Sequence, residues 1–125
     1  KILSPFIENF ADRVLYIHLE HMNAVNQICD LQLDILVFAD TLSEPMTHFL
    51  AHSRLASVQV TFWGNPITSG SQHMDYFISS DYMEHPYRTR LTDEENPYTE
   101  QVVLLPGQGI WYTFPLSEEN EDITR

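Results

Sequence analysis

The sequence predicts an α/β protein built on a Rossmann-like parallel sheet. Near-continuous apolar segments, at residues 33–39, 58–63 and 102–105, alternate with a stretch that has helical spacing. Apolar runs of this kind are typical of parallel strands, which are buried on both faces. Short connections between such strands favour right-handed crossovers. With 125 residues, 43% of them hydrophobic, the chain is long enough for one domain with its own core.

The first half of the chain is predicted to contain two helices. Residues 13–18 indicate a short strand, and residues 21–31 a helix whose apolar side carries Met22, Val25, Ile28 and Cys29. A strand over residues 33–39 follows.

The second helix is predicted to begin at Pro45, with Ser43 as its N-cap, and to run to about Leu55. It is expected to bury Met46, Phe49 and Leu50.

The second half is predicted to be mostly strands and loops. Strands are expected at residues 58–63, 76–79 and 102–105. Residues 81–97 are rich in turn-forming and polar types, which predicts a long surface excursion. The acidic end of the chain, with Glu118, Glu119, Glu121 and Asp122, is interpreted as a solvated terminus.

Composition limits the classes of partner. The formal charge of −12 argues against nucleic acid and anionic membranes as partners. Six Lys and Arg residues offer little to neutralise a diphosphate. The single cysteine, Cys29, favours a reducing compartment, and no apolar run reaches the ~20 residues that span a bilayer. We therefore expect a cytoplasmic protein, and the start at Lys1 rather than Met predicts either a fragment or a processed piece.

A loop rich in glycine, proline and hydroxyl groups follows the predicted strand at 58–63. In open α/β sheets, ligands bind beyond the carboxyl ends of the strands, where such loops lie. The alternative is a tight turn whose hydroxyls are satisfied within the protein. The candidate ligand-binding residues are Trp63, Gly64, Asn65, Pro66, Thr68, Ser69 and Gly70.

Other polar residues give weaker signals. His48 and His52 share a helix face, but a metal site needs a third ligand. His73 follows the loop and is interpreted as an ordinary polar residue, with ligand contact as the alternative. Asp40, after the strand at 33–39, either binds a sugar hydroxyl or caps the next helix. Asp75 is expected to anchor the loop by accepting backbone N–H bonds.

The segment from Asp34 to Pro106 resembles the catalytic region of the O-GlcNAc transferase and SPINDLY family of glycosyltransferases. Three blocks carry the resemblance. The first is Asp34-Ile35-Leu36-Val37-Phe38, with Glu44-Pro45-Met46-Thr47-His48-Phe49-Leu50-Ala51 and Arg54-Leu55-Ala56. The second is Val58-Gln59-Val60, Trp63-Gly64, Pro66, Thr68-Ser69-Gly70 and Asp75-Tyr76-Phe77-Ile78-Ser79. The third is Tyr98-Thr99-Glu100-Gln101 and Leu104-Leu105-Pro106-Gly107.

This resemblance implies part of the N-terminal lobe of a two-lobed, GT-B type transferase. Family members move N-acetylglucosamine from UDP-GlcNAc, or fucose from GDP-fucose, onto Ser or Thr hydroxyls of intracellular proteins. Residues 1–115 would belong to the catalytic domain, and residues 116–125 would be an acidic tail or the start of a linker. The segment from Trp63 to Gly70 would face the donor sugar, and no metal is expected.

The resemblance also implies missing parts. The histidine-proline motif of the first lobe would precede Lys1, and the nucleotide-holding second lobe would follow Arg125, so the fragment alone is expected to be inactive. In many relatives tetratricopeptide repeats lie upstream. Asn65, Ser57 and the Ser43-Glu44 pair depart from the family pattern.

The alternative is a truncated or degenerate transferase half that acts as a non-catalytic interaction module. Trp111, Tyr112 and Phe114 would then form a partner-binding patch. In an intact transferase, the same aromatic residues would pack against the missing lobe.

Overall fold

A four-stranded parallel sheet forms the centre of the chain. The computed structural model describes residues 9–63, 67–84 and 97–109. In chain order the strands are β1 (Ile35–Phe38), β2 (Val58–Phe62), β3 (Tyr76–Ser80) and β4 (Gln101–Leu105). They lie side by side in the order β1-β2-β3-β4, and each neighbouring pair is parallel. With two helices, α1 (His21–Cys29) and α2 (Pro45–Ala51), this confirms the predicted α/β, Rossmann-like fold.

The two helices pack on one face of the sheet. Side chains alternate between the faces along each strand, so Leu36 and Phe38 of β1 point to the same side. The core on that side includes Ala24, Ile28, Phe38, Leu50, Ala51, Leu55 and Met74, with Leu36 packed against it. When parallel strands follow one another in chain order, right-handed crossovers bring every connection to the same face. The strand order therefore accounts for the one-sided core.

The register assigns the remaining strand residues to the opposite face. Val37 pairs with Val60, and Phe62 pairs with Ile78. Ile78 in turn pairs with Val103. These side chains share the side of the sheet away from α1 and α2. Among the residues that the structure describes, no helix is long and apolar enough to cross a membrane.

Both helices are shorter than predicted. The first ends at Cys29 rather than Leu31, because the chain turns at Asp30 and Gln32 adopts a positive φ of 50°. The second ends at Ala51, well before Leu55. The predicted strand at residues 13–18 is absent from the described structure, where this segment is irregular.

The N-caps are glutamates. The side chain of Glu20 accepts from the backbone N–H groups of Met22 and Asn23. Glu44, rather than the predicted Ser43, caps α2 by accepting from Thr47 N–H. A carboxylate at this position binds the free N–H groups of the first helical turn and opposes the positive end of the helix dipole.

Three residues expected in the core are exposed. Met22 is 57% exposed and Phe49 is 60% exposed, and Cys29 is also exposed. In α2 the inward side is formed by Met46, Leu50 and Ala51. Phe49 instead lies edge-on to the His21 and His48 rings. The helical spacing predicted two helices correctly and placed Val25, Ile28, Met46 and Leu50 on the inward sides, but it wrongly added Met22, Cys29 and Phe49.

Candidate functional site

The predicted ligand loop begins at the carboxyl end of β2. Trp63 directly follows Phe62, is half-buried, and its ring lies edge-on to the Phe62 ring with centroids 5.3 Å apart. This contact fixes the start of the loop at the edge of the sheet where open α/β folds bind ligands. Gly64, Asn65 and Pro66 lie outside the described residues.

The later part of the loop is bonded to the amino end of β4. Ser69 donates its backbone N–H to Glu100 Oε1 at 2.8 Å, and its hydroxyl donates to the same oxygen. Thr68 Oγ1 donates to Glu100 Oε2 at 2.7 Å and accepts from Thr99 N–H at 3.2 Å. Glu100 comes immediately before Gln101, the first residue of β4. The hydroxyls of Thr68 and Ser69 are therefore already hydrogen-bonded within the protein.

Glu100 is a buried, ionised carboxylate. Its side chain is 3% exposed, and burial by itself raises the pKa of a carboxyl group. The hydrogen bonds from the Ser69 hydroxyl, the Thr68 hydroxyl and the Ser69 N–H outweigh that effect, and the net pKa of Glu100 lies below its ordinary value. The charged form is thus the one that the surrounding donors stabilise.

The two ends of the candidate loop lie at opposite edges of the sheet. Trp63 is at the carboxyl edge, whereas Thr68 and Ser69 are beside the residue that precedes β4 at the amino edge. A five-residue strand is about 16 Å long. The sequence predicted that all the candidate ligand-binding residues line one site at the carboxyl edge. Of those that the structure describes, only Trp63 lies at that edge. Gly70, with a φ of 69°, continues the turn and donates its N–H to Thr68 Oγ1.

A second polar network anchors the end of the loop. Asp75 accepts the backbone N–H of Gln59 at 2.7 Å, as the sequence predicted for a loop-anchoring carboxylate. It also accepts two hydrogen bonds from the Arg54 guanidinium, at 2.6 and 3.1 Å. The Arg54 guanidinium, supported by the Gln59 N–H, holds the pKa of Asp75 below its ordinary value despite partial burial.

The fully buried amide of Gln59 links two loops at the same amino edge. Its Oε1 accepts from Leu55 N–H at 2.6 Å, and its Nε2 donates to the carbonyl oxygens of Ser53 and His73. His73 thus contributes its backbone, and its side chain is exposed. This role of Gln59 was not predicted, because a glutamine within an apolar strand gives no local sign of its partners.

Asp40 lies beyond the carboxyl end of β1 and shapes the turn before α2. Its Oδ1 accepts from the N–H groups of Leu42 at 3.0 Å and Ser43 at 2.9 Å. Asp40 therefore caps the turn that leads into α2 through that oxygen, whereas the helix itself is capped by Glu44.

The two histidines of α2 are also held by the backbone. His48 Nδ1 lies 3.0 Å from the Thr41 carbonyl oxygen, and His52 Nδ1 lies 2.9 Å from the His48 carbonyl oxygen. Among residues 9–63, 67–84 and 97–109, no three His, Cys, Asp or Glu side chains are grouped to hold a metal ion.

A further buried carboxylate lies at the carboxyl edge. Glu84 Oε1 accepts from the Ser79 hydroxyl at 2.7 Å and from the Tyr98 hydroxyl at 2.8 Å. Ser79 is near the end of β3, the strand next to β2, so this cluster shares an edge with Trp63. No role for Glu84 was predicted, since its two partners come from separate segments of the chain.

Comparison with protein-family models gave no match, and comparison with curated proteins gave no significant match. What the chain itself defines is an α/β protein with a parallel sheet, whose carboxyl edge carries an aromatic residue and a buried carboxylate.

Proposed function

We propose that this chain is part of the catalytic region of a GT-B type glycosyltransferase. The reaction is transfer of N-acetylglucosamine from UDP-GlcNAc to Ser or Thr hydroxyls of proteins in the cytoplasm. The three blocks of resemblance occupy neighbouring elements of one parallel sheet: β1 with α2, β2 with β3, and β4. This arrangement is the observation that supports the proposal best, since a parallel α/β sheet is what the lobe of such a transferase requires.

Among the described residues, Trp63 is the one that we propose contacts the donor sugar directly. It follows the carboxyl end of β2, and the neighbouring Gly64, Asn65 and Pro66 complete the proposed contact. Thr68 and Ser69 lie at the amino edge, where Glu100 holds their hydroxyls, so the proposal gives them and Gly70 no direct contact with the sugar. Trp63 and the residues directly after it position the sugar for attack, and no proton transfer is assigned to them.

The diphosphate of the donor is proposed to rest on the second lobe. The chain has a formal charge of −12 and six Lys and Arg residues. One of its cations, Arg54, is already paired with Asp75 at the amino edge of the sheet. A second lobe that supplies cations across the cleft would complete the nucleotide site, so activity is expected of the complete protein and not of this chain alone.

The test uses the complete polypeptide that contains this sequence. Transfer of labelled sugar to protein is measured with UDP-GlcNAc and, in parallel, with GDP-fucose. Gly64→Trp is expected to reduce transfer at least tenfold while circular dichroism and the melting temperature stay unchanged. Phe49→Ala is the control, because this aromatic residue is exposed on α2 and its ring contacts are with His21 and His48. Full activity of Gly64→Trp would remove the loop from the donor site.

A non-catalytic interaction module is the second candidate, and one observation favours it. The face of the sheet opposite the helices exposes several apolar side chains, among them Ile35, Val37 and Val103, as expected of a protein-binding surface. Intact mass spectrometry of the native polypeptide separates the two candidates. A chain several times longer than this one supports the transferase, whereas a mature chain of this size, without sugar-nucleotide binding, supports the module.

A further inference from the structure

Two histidine rings lie side by side at the carboxyl end of α2. His48 is in the last turn of the helix, and His52 is the C-cap residue that follows it. Because four residues separate them, their side chains lie on the same face of the helix. The centroids of the two rings are 4.6 Å apart. His48 is half-buried and His52 is exposed, so an ion from solution can reach the pair.

The backbone determines which nitrogen of each ring carries the lone pair. His48 Nδ1 lies 3.0 Å from the Thr41 carbonyl oxygen, and His52 Nδ1 lies 2.9 Å from the His48 carbonyl oxygen. A carbonyl oxygen only accepts hydrogen bonds, so Nδ1 is the donor and holds the proton in both neutral rings. The lone pair of each ring is therefore on Nε2, the nitrogen on the side away from the carbonyl.

Metal-binding histidines have the same arrangement. Such an imidazole almost always donates its other ring N–H to a backbone carbonyl, a carboxylate or water, which fixes the tautomer and the orientation of the ring. Both rings of the pair already have this support. Phe49 also lies edge-on to the His48 ring, with centroids 5.7 Å apart. Bonds from a metal ion to imidazole nitrogen are about 2.0–2.1 Å long, so rings this close together can share one ion.

The donor atoms decide the class of ion. Imidazole nitrogen suits Zn²⁺, Cu²⁺ and Ni²⁺, whereas Mg²⁺ and Ca²⁺ prefer oxygen ligands. A permanently held ion needs at least three protein ligands, so a pair of histidines describes an exchangeable site in which water takes the other positions. The formal charge of −12 favours the approach of any cation to this protein.

We propose that His48 and His52 bind one exchangeable divalent ion of the Zn²⁺, Cu²⁺ and Ni²⁺ class through their Nε2 atoms. Binding keeps both Nδ1 hydrogen bonds, because the ion uses the opposite nitrogen of each ring. The inference rests on the geometry of this pair, and it does not depend on the proposed transferase activity, which gives neither histidine a role.

Equilibrium dialysis of the complete polypeptide against Zn²⁺, in an excess of Mg²⁺ that occupies exposed carboxylates, tests the proposal. His52→Asn is the main variant, because the asparagine amide can still donate to the His48 carbonyl oxygen but offers no imidazole nitrogen. Loss of an outer-shell partner already costs a metal site about 10–100-fold in affinity, so loss of a ligand is expected to weaken Zn²⁺ binding at least about tenfold. His48→Asn is expected to remove the same single equivalent of Zn²⁺, because the two rings share one ion.

His73→Asn is the matched control, because His73 is exposed in the loop before β3, and it is expected to leave Zn²⁺ binding unchanged. Circular dichroism shows that the variants are folded. Pulsed electron paramagnetic resonance of bound Cu²⁺ counts the coordinated imidazoles and is expected to find two in the native protein at this site, and fewer in His52→Asn. Undiminished Zn²⁺ binding by His48→Asn and His52→Asn, an equal loss in His73→Asn, or an imidazole count that His52→Asn does not lower would each overturn the proposal.

Discussion

Replacing Glu100 with glutamine removes one buried negative charge and almost no volume. In the native protein, this carboxylate receives the backbone N–H of Ser69 and the hydroxyls of Ser69 and Thr68. Glutamine keeps one acceptor oxygen, but its amide nitrogen cannot accept. The Thr68 hydroxyl then loses its carboxylate acceptor and can turn to the Thr99 hydroxyl, 2.9 Å away.

The size of the effect follows from the three hydrogen bonds. A hydrogen bond to a charged group contributes about 1.5–3 kcal/mol, against about 0.5–1.5 kcal/mol between neutral groups. The three weakened bonds therefore lose about 1 kcal/mol each. Part of this loss is recovered, because the neutral glutamine avoids the cost of burying a charge. The free energy of unfolding is expected to decrease by about 2–3 kcal/mol. With a urea m-value of about 1–3 kcal/mol/M, the midpoint falls by about 0.7–3 M.

The pH dependence gives an independent check. The folded-state pKa of Glu100 is lowered, so its contribution to stability is present above the unfolded-state pKa of about 4.3. That contribution is lost as the pH falls through the lower, folded-state pKa. The difference between the native protein and Glu100→Gln is therefore constant from pH 7 to about pH 5 and shrinks below that, because protonated Glu100 resembles glutamine.

Urea unfolding followed by circular dichroism at several pH values measures both quantities. Glu20→Gln is the control, since Glu20 also accepts two backbone N–H groups but is exposed at the start of α1. It is expected to have a smaller effect. An unchanged midpoint for Glu100→Gln at pH 7, or a difference that persists undiminished at low pH, would refute the assigned role of the carboxylate.

Four further substitutions test the close approach of the backbone at Gly109 and the polar networks around Gln59 and Asp75. Gly109→Ala is expected to destabilise the protein by about 2–4 kcal/mol, because the residue has a positive φ and its Cβ would clash with β3. Gly107→Ala, where the φ is also positive but the space around the added Cβ is open, is expected to lower the free energy of unfolding by only about 1–2 kcal/mol. Thermal unfolding measures both effects. Gln59→Leu leaves three buried backbone groups without their partner and is expected to cost about 2–4 kcal/mol in urea unfolding. Arg54→Met is expected to raise the pKa of Asp75 toward its ordinary value, measured by NMR titration of the carboxyl carbon.

For each of these substitutions, one result would contradict the expected effect. Equal effects at Gly107 and Gly109 would show that the close approach to β3 contributes nothing. A neutral Gln59→Leu would mean that water replaces the amide. An unchanged Asp75 pKa in Arg54→Met would assign the lowered value to the Gln59 N–H alone.

Local sequence was enough to predict the class of fold. The apolar runs around β1, β2 and β4 are short and continuous, and the type of each strand follows from its own residues. Helix positions were also predictable, with Pro45 at the start of α2. The ends of the helices and the borders of their inward sides were not, because contacts with the sheet decide them, although Ile28 and Leu50 lie in the core as predicted. Phe49 is exposed for this reason, although its spacing predicts burial.

The polar clusters of the candidate site depend on pairs of residues that are far apart in the sequence. Ser69 and Glu100 are 31 residues apart, and nothing near either residue indicates that a carboxylate will take the loop hydroxyls. The sequence by itself determined an α/β protein with a glycine- and hydroxyl-rich loop after β2. Only the tertiary structure decided that Trp63 lies at one edge of the sheet and Ser69 at the other. The physical reason is that backbone preferences are local, whereas the partner of a polar group is chosen by which strands become neighbours.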